Sequence, residues 1–289
     1  MTVTIHTHHF RRLILGLSPG SRRDSAETAA DLARLLDVEL FGLFLEDAGL
    51  RELGNISVAR EFRPLGGGWR PIRAEQMARD LDEAAREAER AFFAAAHRMA
   101  RRHQFEVRRG PIADAIASLS ETNDIVMISE PGSAAERATA QFSALVEAAF
   151  RSSAAVLLVP TEIARRTGPV VAIAAKPDDP CIQTAAGIAA MAGEPLVVLQ
   201  AYDGATGGQV DVLAGAGLTV RAVQVGAAGI SDPVVCVEAL ALIGERLMVM
   251  SHTHAARTFA PAMLAARRVP VLVLEPERGE SEPAPVVSV

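Results

Sequence analysis

The sequence predicts an α/β protein built as two doubly wound parallel five-stranded sheets, the second domain shortened. Three observations carry this. Short apolar runs such as Asp124–Ser129 (DIVMIS) and Ala154–Val159 (AAVLLV) do not alternate with polar residues, as expected of strands covered on both faces. Between them lie segments with apolar residues three and four apart, the period of a helix with one buried face. The same strand–helix plan is then written a second time along the 289 residues. Strands that alternate with helices form parallel sheets through right-handed crossovers.

In the first half, Arg12–Leu17 reads as a strand. Ser25–Leu36 reads as a helix with Ala29, Leu32, Ala33 and Leu36 on one face. Glu39–Leu45 (ELFGLFL) is the second strand. Glu75–His103 is a long helix whose Met77, Leu81, Ala85, Ala88, Phe92, Ala95 and Met99 share a face; Glu75–Arg79 and Asp82–Arg86 support it as i,i+4 pairs. Phe105–Arg108, the helix Ile112–Leu119, the strand Asp124–Ser129, the helix Glu136–Phe150 and the strand Ala154–Val159 complete the set.

The second half gives strands at Val170–Ala174, Pro195–Tyr202, Leu218–Val225, Leu247–Ser251 and Val269–Leu274. Its helices are Ile182–Met191, Pro233–Ile243 and Ala255–Arg267, with a remnant around Gln209–Ala214. The polar, basic stretch Thr161–Gly168 separates the halves. This sets domains at 1–161 and 162–276, with 277–289 a Pro-rich tail too polar to pack. The first domain also carries a long connection, Ala48–Arg73, with the chain's one tryptophan, Trp69, beside Gly66–Gly68. Connections of that length are usually functional or disordered. Leu50–Phe62 is expected as a short helix and Gly66–Gly68 as a joint, the whole acting as a lid or a docking arm for a protein partner.

Composition narrows the function. Apolar residues make up 49% and aromatics only 4%, so the core must be Ala, Leu and Val. A net charge of −6 gives no support for nucleic-acid binding, and the pairs Arg11-Arg12, Arg101-Arg102, Arg108-Arg109 and Arg267-Arg268 sit at element ends rather than in a stripe. Two cysteines, no run of about 20 apolar residues and no signal peptide make the cytoplasm the expected compartment. The single lysine, Lys176, follows Ala175, so there is no phosphate loop of the G-K-[ST] kind.

Gly16-Leu17-Ser18-Pro19-Gly20 spells the nucleophile elbow of serine hydrolases, with Ser18 as nucleophile. Pro19 argues against it. The residue after the serine must donate its N–H to the oxyanion hole, and proline has none. The same stretch, Ser18 to Ser25, is also a distant match to the pyrophosphate loop of ATP pyrophosphatases, with two extra residues and a proline for the first glycine.

The element order, with "NDIVMISEPG", "LVEAAFRSSAAVLLVP" and "LAARRVPVLVLEP", resembles the universal stress proteins in a tandem form, over about 270 residues. The resemblance implies strand order 3-2-1-4-5 in each half, a stress-related role, and dimerisation through the edge of the last strand, either between two copies or between the two halves as a pseudo-dimer. It also implies an ATP or AMP site at the C-terminal ends of strands one and four, where open α/β sheets place ligands. The family's phosphate motif, G-x-x-G, nine residues, then G-[ST], falls on Ser129, Gly132 and Phe142-Ser143. Two of its three glycines are missing, and Phe142 sets a ring where bare backbone should meet phosphate. The aspartate that ends strand one falls on Ser18, or on Pro19 in another register. Arg137 and Arg22-Arg23 are cations near that loop. In the second half the motif falls on Ser251, His254 and Arg257-Thr258, with the spacing cut to two residues and Ala175 near the aspartate position.

The expectation is a non-catalytic regulatory or interaction protein with eroded nucleotide sites. Ser18, Ser129, Gly132, Arg137 and Ser143 are the residues that would hold ATP or AMP in a sensor using the first domain. No metal site is expected: His252 and His254, and the cluster His6, His8 and His9, lack acidic or cysteine partners at ligand spacing. Cys181 stands at a helix start, where a thiol is activated, but Asp178 and Asp179 oppose that. Cys236 reads as core.

Overall fold

The computed structural model describes residues 10–18, 21–22, 24–46, 52–53, 55–56, 58–63, 68–99, 102–110, 112–131, 140–201, 209–215, 217–253 and 256–275. The first half contains β1 (Arg12–Leu17), α1 (Ser25–Leu35), β2 (Glu39–Glu46), β3 (Arg60–Arg63), β4 (Gly68–Pro71), α2 (Ala74–Met99), β5 (His103–Arg109), α3 (Ile112–Leu119), β6 (Asp124–Ser129), α4 (Ala140–Arg151) and β7 (Ala155–Val159). The second contains β8 (Val170–Ala174), α5 (Pro180–Ala192), β9 (Leu196–Gln200), α6 (Gln209–Gly215), β10 (Val220–Gln224), α7 (Gly226–Gly229), α8 (Pro233–Ala239), β11 (Leu247–Met250), α9 (Ala256–Arg267) and β12 (Val271–Val273).

Ten of the twelve strands among the described residues form one sheet, in order β10-β9-β8-β11-β12-β7-β6-β1-β2-β5. Within each half the order is third, second, first, fourth, fifth. Two five-stranded sheets were expected, with pairing of the halves through their last strands as one of two alternatives; β7 and β12 pair antiparallel, Leu157 opposite Leu272, and the halves share one sheet. The physical reason lies in those strands. All residues of β7 and β12 are buried, and an unpaired edge there would leave backbone donors and acceptors unmet.

Alternate residues of each strand feed two cores. Leu13, Leu15 and Leu17 of β1 pack with α1 and α2 in an upper layer, which α5 and α6 continue. Ile14 packs in a lower layer with α3 and α4, which α8 and α9 continue. Gly42 in β2 is fixed by this packing. A Cβ there would lie 2.7 Å from ring carbons of Phe92 and Phe105, so β2 and α2 approach closely only because the side chain is missing.

A buried carboxylate sits near the start of the fourth strand in each half. Asp124, fully buried, accepts from Arg11 Nε (3.0 Å), Arg12 Nη2 (3.0 Å) and the backbone N–H of Glu121 (3.0 Å). Glu245, also fully buried, accepts from Arg267 Nε at 2.7 Å and Nη2 at 2.8 Å. Arg267 spends its remaining reach on the carbonyls of Leu240 and Ile243. The arginine pairs that read as element ends are therefore partly internal: Arg12 and Arg267 hold buried charge, while Arg102 and Arg268 are exposed.

The 48–73 connection differs from the expectation. Within the expected helix Leu50–Phe62, Glu52 and Leu53 are helical, but Arg60–Arg63 is a strand that pairs with Gly68–Pro71 as a hairpin outside the main sheet. Its cross-strand pair Phe62–Trp69, ring centroids 5.4 Å apart, supplies the stabilisation that helical spacing could not. Gly68, the first residue of β4, adopts φ +70, a conformation that favours glycine; Gly66 and Gly67 of the expected joint lie outside the described residues.

Candidate functional site

The crevice between the first and fourth strands exists in both halves, and the two are built differently. In the first half, Leu15 of β1 pairs with Met127 of β6, so Ser129 lies beside Leu17 at the same sheet end, with Ser18 next along the chain. Ser18 opens a closed turn. Its N–H donates to Ser21 Oγ (2.7 Å), the N–H of Ser21 donates back to the Ser18 carbonyl (2.9 Å), and the two hydroxyls are 3.3 Å apart. The partner of the Ser18 hydroxyl is thus another serine hydroxyl, not the imidazole that would activate a nucleophile.

Asp24 stands as N-cap of α1, but its carboxylate makes no cap bond. It turns outward and grips Arg22 by two bonds of 3.0 and 2.6 Å, which holds its pKa below the usual carboxylate value. Beside this turn, α1 and α2 leave a cleft of about 660 Å³, floored by Ala26, Ala84, Ala88 and Ala91 and rimmed by Ser18, Ser21 and Arg22.

The second half seals the matching place. Asp179 is the N-cap of α5, followed by a proline in the first turn, where the missing N–H costs nothing. Its buried carboxylate accepts from the N–H of Ala175 (3.1 Å), the N–H of Cys181 (3.3 Å) and the hydroxyl of Ser251. Ala175 follows β8 and Ser251 follows β11, so one side chain ties the ends of the first and fourth strands to the helix that follows. These three donors at the crevice are committed to the chain's own carboxylate.

Cys181 is buried in this cluster, its thiol donating to the Ile173 carbonyl. Burial, and then the negative charge of Asp179, raise its pKa well above the usual thiol value, opposite to activation. Cys236 is likewise buried, its pKa pushed up to about 11 by burial and then Asp232.

Of the five sequence-predicted ligand residues, Ser18 and Ser129 come together at one sheet end. Gly132 and Arg137 lie outside the described residues, as do Arg23, His254 and the cluster His6, His8 and His9. Ser143 lies on the first turns of α4. Beside it, Phe142 packs into the lower layer. Both line a different cleft, shared with Arg257 of α9. Among the described residues no three His, Cys, Asp or Glu side chains form a metal-binding group, and no helix is long and apolar enough to cross a membrane.

Sequence reasoning missed Asp179 as a cap, although Asp followed by Pro is a helix-start signal. It weighed His252 only as a metal ligand. That imidazole packs against Phe150, hydrogen-bonds its backbone, and keeps a buried Nε2 with no partner among the described residues.

Neither a family model nor a curated protein sequence matches the chain. Solved structures do. A universal stress protein from Archaeoglobus fulgidus DSM 4304 superposes with a TM-score of 0.62 at 14% identity, covering 95% of this chain and 99% of that one. The fold is that of the universal stress proteins. A putative universal stress protein from Pseudomonas aeruginosa UCBPP-PA14 agrees, with a TM-score of 0.52 at 15% identity over 93% of this chain and 94% of that one. A functionally unknown protein from Pseudomonas aeruginosa PAO1 gives 0.50 at 14% identity over the same shares. The likeness to the universal stress fold spans both halves and is one of architecture.

Proposed function

We propose that this chain is a non-catalytic, stress-related binding protein of tandem universal-stress type, with eroded nucleotide sites and a second half that serves as structure. The observation that carries the reading is the sealed crevice: Ala175, Cys181 and Ser251 spend their donors on Asp179. A nucleotide phosphate would have to displace a buried, capped carboxylate and meet its charge. Its working element is the 48–73 arm. Of the ten exposed large hydrophobics among the described residues, five lie on it: Leu53, Ile56, Val58, Phe62 and Trp69. Clustered exposure of that kind marks an interaction surface. The arm also holds five arginines against two glutamates in a chain of net charge −6, which favours an acidic protein partner. Calorimetric titration with ATP and with AMP at sub-millimolar concentration tests the erosion claim. No saturable heat is expected, and one-to-one binding overturns it.

A second reading is a sensor of ATP or AMP in the first half alone. It is favoured by the open 660 Å³ cleft beside Ser18 and by the outward turn of Asp24. Under this reading, fresh protein releases nucleotide on heat denaturation, and Ser18→Asp tightens binding by restoring a carboxylate at the end of the first strand. Protein free of nucleotide, with no gain from Ser18→Asp, removes it.

A further inference from the structure

A second cleft, of about 380 Å³, lies in the lower layer across the junction of the halves. Five of its lining residues come from α4 of the first half: Phe142, Ser143, Val146, Glu147 and Phe150. The sixth, Arg257, comes from α9 of the second. We propose that this cleft binds a small organic anion with a flat apolar body, and that Arg257 holds its charged group.

The walls suit the body of such a ligand. Phe142, Val146 and Phe150 face the cleft from one side of a helix, at spacings of four residues. Its volume falls in the lower part of the roughly 300–1,000 Å³ usual for small-molecule sites. The charge pattern suits an anion. Among the described residues Arg257 has no hydrogen-bond or ion-pair partner. A guanidinium left over an apolar cleft is the group that recognises a carboxylate or sulfonate in a planar, two-pronged way. Glu147, the one acid on the wall, is already held by Arg151 at 2.5 Å.

His252 gives the second sign. Its ring packs against Phe150, on the cleft wall, and its Nε2 is buried with no partner among the described residues. Burial holds the imidazole below its usual pKa, and the positive charge of Arg257 adds to that. The charged form of the imidazole is thus disfavoured beside a cation that has no ion-pair partner among the described residues. A bound anion would oppose the field of Arg257 and favour the protonated ring. Because the ligand would touch α4 and α9 at once, it would also tie the two halves together.

The probe is 2-naphthoate, with 2-naphthamide as its uncharged counterpart, titrated into the full chain. Saturable one-site binding of naphthoate is expected, with naphthamide bound more weakly. Arg257→Gln, a change at an exposed residue, should weaken naphthoate about 10- to 100-fold, the loss of a charge-assisted bond, and leave naphthamide nearly unchanged. Val146→Phe, which fills the cleft, should weaken both. Independently, the His252 imidazole, followed by NMR, should titrate at higher pH when naphthoate is bound. Absence of saturable binding overturns the proposal. So does naphthoate binding that Arg257→Gln leaves intact, which would seat the probe elsewhere, and so does an imidazole titration that naphthoate does not move.

Discussion

Replacing Asp179 by alanine removes one side chain that joins three pieces of chain, and the cost follows from its bonds. Hydrogen bonds to a charged group contribute about 1.5–3 kcal/mol each, and an N-cap aspartate about 0.5–2 kcal/mol. The three donors do not suffer equally. Ala175 is exposed, so its N–H turns to water, and the Ser251 hydroxyl rotates to another partner. Cys181 is fully buried, so its N–H is left unmet, a penalty of about 1–3 kcal/mol. The cap bond is the bond to Cys181, so its loss is counted once, at about 1–3 kcal/mol, a sizeable share of the roughly 5–15 kcal/mol that holds a domain folded. Urea denaturation of the wild-type chain and of Asp179→Ala, followed by circular dichroism, measures the difference. Asp179→Asn keeps one acceptor and should lose about half as much. A loss under about 1 kcal/mol for the alanine variant would refute the view that this carboxylate is a buried tie.

Three further outcomes are expected. His252 is held below its ordinary value of 6.5, so the unfolded chain takes up its proton first; stability should be intact above pH 6.5 and fall as pH drops through 6.5 towards the folded value, and His252→Gln should flatten that segment of a urea-midpoint profile. Arg267→Leu leaves the fully buried Glu245 without its main partner and should cost about 3–5 kcal/mol by chemical denaturation, whereas Arg268→Leu, at an exposed position, should cost about 0.5 kcal/mol or less. Trp69 is 65% exposed, so native fluorescence should be red-shifted and readily quenched by acrylamide; Trp69→Ser should leave the urea midpoint nearly unchanged, and a blue-shifted, protected tryptophan would contradict the exposed hairpin.

The sheet was legible because its strands are buried on both faces and so read as unbroken apolar runs. Val170–Ala174 is the same range in sequence and structure. The arm was not. Arg60–Arg63 and Gly68–Pro71 alternate too weakly to declare strands, and what fixes them is a contact between Phe62 and Trp69 that only the folded hairpin makes. The Asp179 tie was half legible. The Asp-Pro start of α5 is a local signal, but the hydroxyl that completes it, on Ser251, is 72 residues away. The fusion of the two sheets was half open for a similar reason: nothing in AVLLV or VLV says whether the strand that takes the last edge comes from the other half or from a second copy. Of the nucleotide-motif residues, Ser18 and Ser129 were brought together as their strands required. Phe142 instead has a packing role in the lower layer.

The antiparallel seam between β7 and β12 has an evolutionary consequence. Two identical subunits related by a two-fold axis share every substitution, so a change that closes one crevice closes its twin. Here the same geometry is encoded by one continuous polypeptide, and a mutation lands on one side only. An aspartate turned inward at 179 and outward at 24 is a difference that two identical subunits could not hold.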